Sequence, residues 1–314
     1  MTAQMFELSN GQISAGITDF GASLVSLRLK GWPQDLVLGF PELSDQVADP
    51  HYMGAIVGRY ANRIAEGRMQ IGAKLYQLDR NENGVTHLHG GNAGFARRMW
   101  QAAEVSPQRL TLRMESQAGE SGYPGALQAE VIYELDGAAL RVKLMARSDA
   151  ETIVNLCHHP YFNLSGATET DAHRLWIAAE RYLPTDAAQI PTGEQARVSD
   201  TRFDFTTPRA VPMGVFDHTY CLHGEPSGRM AHAATLSAGP RALELWTTQP
   251  GLHLYNAAHL VPGPSGHHGQ PYGPYSAICL EAQGWPDSPN HPDFPSTKLR
   301  PGDTYRQVTE YRLS

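Results

Sequence analysis

Apolar residues recur at every second position in many short segments of this 314-residue chain, and this pattern most constrains its fold. In the clearest case, residues 131–135 and 140–144 alternate on either side of Asp136-Gly137, a dipeptide that accepts a positive φ. These segments predict a β-hairpin. The same period of two occurs at residues 24–29, 110–114 and 243–246.

Helical patterns are scarce by comparison. No segment of fifteen residues combines apolar spacing of i, i+3, i+4 and i+7 with a helix cap. The 30 glycines and 22 prolines are spread along the chain and do not gather into a linker. We therefore expect an all-β fold of mainly antiparallel strands, organised as a single domain over residues 1–314.

Charge and cysteine content narrow the functional classes. The net charge is −7 and like charges form no run, so nucleic acid is not an expected partner. No apolar run approaches the roughly 18 residues of a membrane span. Three widely separated cysteines, Cys157, Cys221 and Cys279, suit a reducing compartment, and the first residues lack a signal-peptide pattern. These features predict a cytoplasmic location.

Candidate chemistry lies in the histidine clusters and in one glutamate. The chain has 14 histidines, with clusters at residues 86–91, 157–163 and 216–218. Glu281 ends an apolar strand pattern, shortly before glycine, tryptophan and proline. The residue types alone fit two interpretations. Either these residues form a site, or Glu281 is an ordinary exposed residue and the histidines are satisfied core groups.

A histidine and a glutamate together suffice for one particular reaction. Anomerisation of a sugar needs a base that takes the proton of the C1 hydroxyl and an acid that protonates the ring oxygen, so that the ring opens to the aldehyde. Glutamate is ionised at neutral pH, and histidine can be held protonated by nearby carboxylates. Neither a metal nor a nucleotide is required.

Five motifs in a fixed order carry a family resemblance. The chain resembles the aldose 1-epimerases, also called galactose mutarotases, and the likeness continues through Leu299-Arg-Pro-Gly302 almost to the end. The motifs are Val57-Gly-Arg-Tyr-Ala-Asn62-Arg63-Ile64, Leu88-His89-Gly-Gly91, Asn155-Leu-Cys-His-His159-Pro-Tyr161-Phe-Asn163, Asp217-His218 and Cys279-Leu-Glu281-Ala-Gln283-Gly-Trp285-Pro-Asp287.

This resemblance implies a fold and a set of roles. The fold is a large antiparallel β sandwich, the supersandwich of galactose mutarotases. The implied substrate is a free monosaccharide such as galactose or glucose, with no cofactor and no metal. His159 matches the general acid of the family and Glu281 the general base. The positions that match sugar contacts are Asn62, Arg63, His89, Tyr161 and Asp217. We expect a monomer or a weak homodimer.

Two departures from the family pattern stand near the expected site. His253 replaces a glutamine, so this sugar-binding position is altered and we expect sugars to be ranked differently. His158 and Pro160 stand where the family commonly has asparagine and serine. Adjacent residues of a strand point to opposite faces, so only one of His158 and His159 can serve the site.

Three other functions remain open from the sequence. His87 and His89 are spaced to share one face of a strand and could bind a metal with further ligands. A non-catalytic sugar-binding protein could keep the same fold, although a pure binder needs no matched acid and base. A mutarotase for phosphorylated sugars would need a basic cluster, for which Arg97-Arg98 is the candidate.

Overall fold

The computed structural model describes residues 2–222, 228–267 and 269–314, and most of its regular structure is β-strand. In chain order the strands are β1 Met5–Ser9, β2 Ile13–Thr18, β3 Leu24–Leu29, β4 Ile56–Val57, β5 Arg63–Ile64, β6 Arg68–Ile71, β7 Lys74–Gln77, β8 His87–Leu88, β9 Gln101–Ser106, β10 Arg109–Ser116, β11 Leu127–Asp136, β12 Ala139–Ser148, β13 Thr152–Ile153, β14 Cys157–His158, β15 Tyr161–Phe162, β16 Arg174–Ile177, β17 Arg181–Tyr182, β18 Ala196–Arg197, β19 Arg209–Ala210, β20 Asp217–Cys221, β21 Ala231–Ala238, β22 Arg241–Thr247, β23 Gly251–Tyr255, β24 Ile278–Gln283, β25 Lys298–Leu299 and β26 Tyr305–Leu313.

Helices are few and short in the described parts of the chain. The α-helix is α1 Leu43–Ala48, and the 3-10 helices are Ala65–Gly67, Phe95–Arg97, Glu120–Gly122 and Ser288–Asn290. None of the helices in these residues is long and apolar enough to cross a membrane. The all-β prediction is confirmed.

Two large antiparallel sheets form the body of the molecule. One has nine strands in the order β19-β16-β21-β22-β26-β12-β11-β10-β9, and the other has six in the order β15-β24-β23-β20-β17-β18. A single apolar cluster contains Val131, Val142 and Leu245 of the first sheet together with Leu252 and Leu280 of the second. The sheets therefore pack face to face as a sandwich. The organisation of residues 1–314 as one domain remains a prediction.

The predicted hairpin is the pair β11–β12. Its register joins Asp136 to Ala139, so the two-residue loop is Gly137-Ala138, one position later than the sequence indicated. Gly137 has φ of 56°, and Ala138 is not among the residues with positive φ. This is the pattern of a type II′ turn, in which glycine occupies the first central position.

Arg59 ties the segment before β5 to the nine-stranded sheet. Its side chain is 2% exposed, and its guanidinium donates hydrogen bonds to the Ser116 hydroxyl and to the carbonyl oxygens of Ser116, Gln117, Pro124 and Gly125. Burial lowers the pKa of Arg59 to about 10, so it is still charged at neutral pH. This segment continues into Asn62 and Arg63, so Arg59 supports one wall of the expected site.

We expect Arg59→Met to lower the free energy of unfolding by about 3 kcal/mol, because several buried carbonyl acceptors lose their donor. Urea denaturation followed by tryptophan fluorescence measures this change. Arg113→Met is the control, because Arg113 is 62% exposed and bridges Glu130 on the outer face of the nine-stranded sheet. That control should cost less than about 1 kcal/mol. Equal losses in the two variants would contradict the role of Arg59.

Candidate active site

The floor of the candidate site is the face of the six-stranded sheet that points away from the core. Every residue of β24 is buried, and Leu280 and Ala282 belong to the main apolar core. Glu281 therefore points to the opposite face. The register places Glu281 opposite His253 on β23, and His253 opposite Thr219 on β20. Three neighbouring strands thus contribute a row of polar side chains to one surface.

Glu281 and His159 meet above this floor. The Nε2 atom of His159 lies 3.5 Å from Oε1 of Glu281, and the two residues are 5% and 1% exposed. Neither Oε2 of Glu281 nor Nδ1 of His159 has a hydrogen-bond partner in the described residues. Buried polar atoms are rarely left without a partner, so these two atoms indicate a place for polar groups of a ligand.

His159 is held on its backbone and on its ring. It lies between β14 and β15, where its N–H donates to the carbonyl oxygen of Ala55 and its own carbonyl accepts from the N–H of Gly54. The ring of Tyr161 stacks on its imidazole, with centroids 5.2 Å apart and an interplanar angle of 13°. The Tyr161 hydroxyl donates to the carbonyl oxygen of His51, so a contact to a sugar would use that oxygen as an acceptor.

Tyr52 also borders the site, and the sequence did not indicate it. Its ring centroid lies 4.9 Å from that of His89 and 6.4 Å from that of His159. Tyr52 has φ of 61°, which is uncommon for an aromatic residue, and Arg97 lies over its ring at 5.1 Å. An aromatic residue in a loop does not by itself indicate a site residue. The position of the Tyr52 ring depends on its left-handed backbone and on packing with residues distant in sequence.

His158 points away from the site and into the core. Its Nδ1 lies 3.1 Å from the Tyr311 hydroxyl, and its ring packs edge-on against Tyr133 and Tyr311. Burial, together with the charge of His159, lowers the pKa of His158 to about 3, so the ring is neutral. The two adjacent histidines therefore serve different environments, and His159 is the one that reaches Glu281.

The Leu-His-Gly-Gly segment bends sharply and brings His89 into the site. His89 and Gly90 have φ of 50° and 89°, and a Cβ atom on Gly90 would lie 1.8 Å from the carbonyl oxygen of Gly58. The N–H of Asn62 donates to Nδ1 of His89 over 3.2 Å. Burial and the positive charges of neighbouring groups hold the pKa of His89 well below its usual value. The neutral ring consequently carries its proton on Nε2 and is a hydrogen-bond donor there.

Arg63 and Asn62 connect the segment that follows Arg59 to the six-stranded sheet. The guanidinium of Arg63 forms two 2.8 Å hydrogen bonds to Glu82, and its Nη1 lies 3.5 Å from Oδ2 of Asp217. Arg63 is therefore an ion-pair partner within the site. The Asn62 side chain accepts from the N–H of Arg63, and its Nδ2 lies 3.4 Å from Nδ1 of His253.

Asp217 and His253 form a buried pair on the floor. Nε2 of His253 lies 2.6 Å from Oδ1 of Asp217. Burial alone would raise the pKa of Asp217, but the hydrogen bond from His253 and the charges of His253 and Arg63 hold that pKa well below its usual range. Burial lowers the pKa of His253, but the bond to Asp217 and the charge of Glu281 outweigh it and raise the pKa. Both pKa shifts favour the pair in which Asp217 is a carboxylate and His253 is an imidazolium.

The structure brings all the sequence-predicted site residues together. Each of them contacts another member through a hydrogen bond, an ion pair or a ring contact, and the connected set is Tyr161, His159, Glu281, His89, Asn62, His253, Asp217 and Arg63. Residues that are far apart in sequence thus form one polar cluster, in which the His159–Glu281 pair retains atoms that have no hydrogen-bond partner among the described residues.

The structure contradicts the alternative in which His87 and His89 share one face of a strand as metal ligands. Strand β8 ends at Leu88, and the positive φ of His89 breaks the period of two. Both ring nitrogens of His87 are engaged, Nδ1 with the carbonyl oxygen of Asp79 at 2.8 Å and Nε2 with the Tyr123 hydroxyl at 2.5 Å. Among the described residues, the group with metal-ligand spacing is instead His159, Cys279 and Glu281.

Arg97 and Arg98 do not form a phosphate site. Arg97 donates to the carbonyl oxygens of Asp49 and Pro50, and Arg98 pairs with the carboxylate of Glu120. Both guanidinium groups are thus engaged by the protein.

Comparison with known proteins gives a consistent result. The family model described as aldose 1-epimerase matches residues 4–312. The chain is 40% identical to galactose mutarotase of Mus musculus, covering 100% of this chain and 94% of the mouse protein. It is 34% identical to aldose 1-epimerase of Escherichia coli, over 97% and 93% of the two chains. The crystal structure of an aldose epimerase homologue from C. elegans is similar, with a TM-score of 0.93, 28% identity and coverage of 100% and 99%.

Proposed function

The chain belongs to the aldose 1-epimerase family, and we propose that it interconverts the α and β anomers of a free aldose with Glu281 as the general base and His159 as the general acid. The observation that carries these roles is the buried pair itself. A carboxylate and an imidazole lie 3.5 Å apart, and each keeps one polar atom that has no partner in the described part of the chain.

The reaction needs two proton transfers in each direction. Glu281 takes the proton of the C1 hydroxyl while His159 gives a proton to the ring oxygen, the bond between C1 and the ring oxygen breaks, and the open-chain aldehyde forms. Rotation about the C1–C2 bond presents the other face of the aldehyde. The hydroxyl formed from the former ring oxygen then attacks C1 and returns its proton to His159. The aldehyde oxygen becomes the C1 hydroxyl and recovers the proton held by Glu281. No atom is gained or lost, and both side chains return to their starting states.

The remaining polar groups suit a neutral, hydroxyl-rich ligand. His89 offers an N–H donor, and the carboxylate of Asp217 offers acceptors with 13% of its side chain exposed. Asn62 carries both kinds of group on one amide. Donors and acceptors in a buried site select sugars that can satisfy them, because an unmatched group is costly. A free monosaccharide such as galactose or glucose fits this set.

Polarimetry tests this function directly. Freshly dissolved α-D-galactose, α-D-glucose, L-arabinose and D-xylose should reach their equilibrium rotation faster with the protein than without it, for at least galactose or glucose. The acceleration should persist after dialysis against EDTA, because the proposed transfers use protein side chains alone. Absence of acceleration with every sugar, or activity that returns only with added metal, would contradict the proposal.

A further inference from the structure

Both ring nitrogens of His253 are already engaged by the protein. Nε2 lies 2.6 Å from Oδ1 of Asp217, and Nδ1 lies 2.9 Å from the Thr219 hydroxyl, which can accept its proton. The side chain is only 6% exposed. A direct contact from His253 to a sugar hydroxyl would therefore require one of these interactions to break.

Asp217 can still accept hydrogen bonds from a ligand, whereas both ring nitrogens of His253 are engaged. Each oxygen of an ionised carboxylate can accept more than one hydrogen bond. Oδ1 accepts from His253, Oδ2 lies 3.5 Å from Nη1 of Arg63, and the side chain is more exposed than that of His253. Asp217 is therefore the more exposed member of the pair, with acceptor capacity left for a ligand.

The link between the two side chains is strong and rigid. A hydrogen bond between an imidazolium and a carboxylate is charge-assisted, and 2.6 Å is short for an N–H···O contact. The imidazole is itself fixed at its other end by Thr219 and lies opposite Glu281 in the strand register. The His253 ring thus fixes the Asp217 carboxylate through its shortest contact, at Oδ1, while Arg63 lies 3.5 Å from Oδ2.

We propose that His253 is a positioning residue that sets sugar affinity by fixing the carboxylate of Asp217, without contacting the sugar itself. This inference rests on the proposed function. The family glutamine presents a flexible amide at this position, whereas a ring anchored at both nitrogens holds Asp217 in one orientation. Sugars that differ in the hydroxyl facing Asp217 should consequently differ in affinity, according to how well that hydroxyl fits the fixed carboxylate.

A double-mutant cycle of His253→Ala and Asp217→Asn tests the proposal. The affinity for galactose and glucose is measured as KM by polarimetry and as Kd by ligand-observed NMR. The Kd can be measured even for variants with a low kcat. We expect His253→Ala to weaken affinity about tenfold with kcat within about twofold, because it removes a charged hydrogen bond behind Asp217. In the Asp217→Asn background, His253→Ala should change affinity less than about twofold.

The cycle has clear opposing outcomes. If the two fold-changes multiply in the double variant, His253 acts on the sugar independently of Asp217 and the inference is wrong.

His253→Gln should restore most of the affinity, because its amide N–H can also donate to Asp217. His232→Ala is the matched control on the nine-stranded sheet, and it should leave KM and kcat unchanged. Should His253→Ala fail to fold, His253→Asn in the two backgrounds completes the same cycle, because its shorter amide does not reach as far as the imidazole. Mutarotation by the wild type, scored first, separates a failure of this inference from a failure of the proposed function.

Discussion

Replacing Glu281 with glutamine should lower kcat for mutarotation by about a thousandfold, because an amide cannot take the proton of the C1 hydroxyl. Glutamine has nearly the same size and shape, so sugar binding should change little. The buried carboxylate keeps Oε2 without a partner, and a neutral amide is less costly to bury than an ionised group. The melting temperature should therefore stay the same or rise while the activity is lost.

Initial rates from polarimetry, sugar Kd from NMR and thermal melts measure these three expectations. Glu310→Gln is a matched control, because Glu310 is also a buried carboxylate, at 2% exposure, but it pairs with Arg141 and Arg312 on the nine-stranded sheet. That variant should lose stability and keep its kcat. A near wild-type kcat for Glu281→Gln with unchanged binding would show that another group is the base.

Local sequence patterns predicted some of the longer strands and one hairpin, but not which strands that are distant in sequence become neighbours. The β11–β12 hairpin was predictable because its alternation and its turn lie within one short segment. The row of Glu281, His253 and Thr219 is different, because it depends on the register of three strands that are separate in sequence. In β24, moreover, both faces are buried, so alternation did not show which way Glu281 points. Only the family motifs indicated that role.

The contradicted metal alternative and the missed Tyr52 have a common physical origin in the backbone. His87 and His89 share a face only in a continuous strand, and the left-handed φ of His89 separates them. That same bend gives His89 its place beside Asn62. Tyr52 was missed for a similar reason, since its positive φ and its ring contacts with His89 and His159 are set by distant segments. Single-residue conformations of this kind leave no periodic signal in a sequence.

The adjacent histidines offer a test in which activity and stability should respond in opposite ways. His159→Ala should lower kcat by about a thousandfold, because it removes the imidazole that lies 3.5 Å from Glu281 and that we assign as the acid. Its effect on stability should be smaller than that of His158→Ala, since the ring loses its contacts with Tyr161 and Glu281 but Nδ1 has no hydrogen-bond partner among the described residues. His158→Ala should instead cost about 2 kcal/mol of unfolding free energy, because it opens a cavity between Tyr133 and Tyr311 and removes the partner of the Tyr311 hydroxyl.

Rates measured across pH complete this comparison. A base acts only when deprotonated and an acid only when protonated, so the wild-type rate should decline at both ends of the pH range. His158→Ala should keep this bell shape with a kcat within a few fold of wild type, because His158 faces the core and is neutral throughout this range. His159→Ala should lose most of its activity across the whole pH range. Equal losses of kcat in the two variants, or a loss confined to His158→Ala, would mean that the acid has been assigned to the wrong histidine.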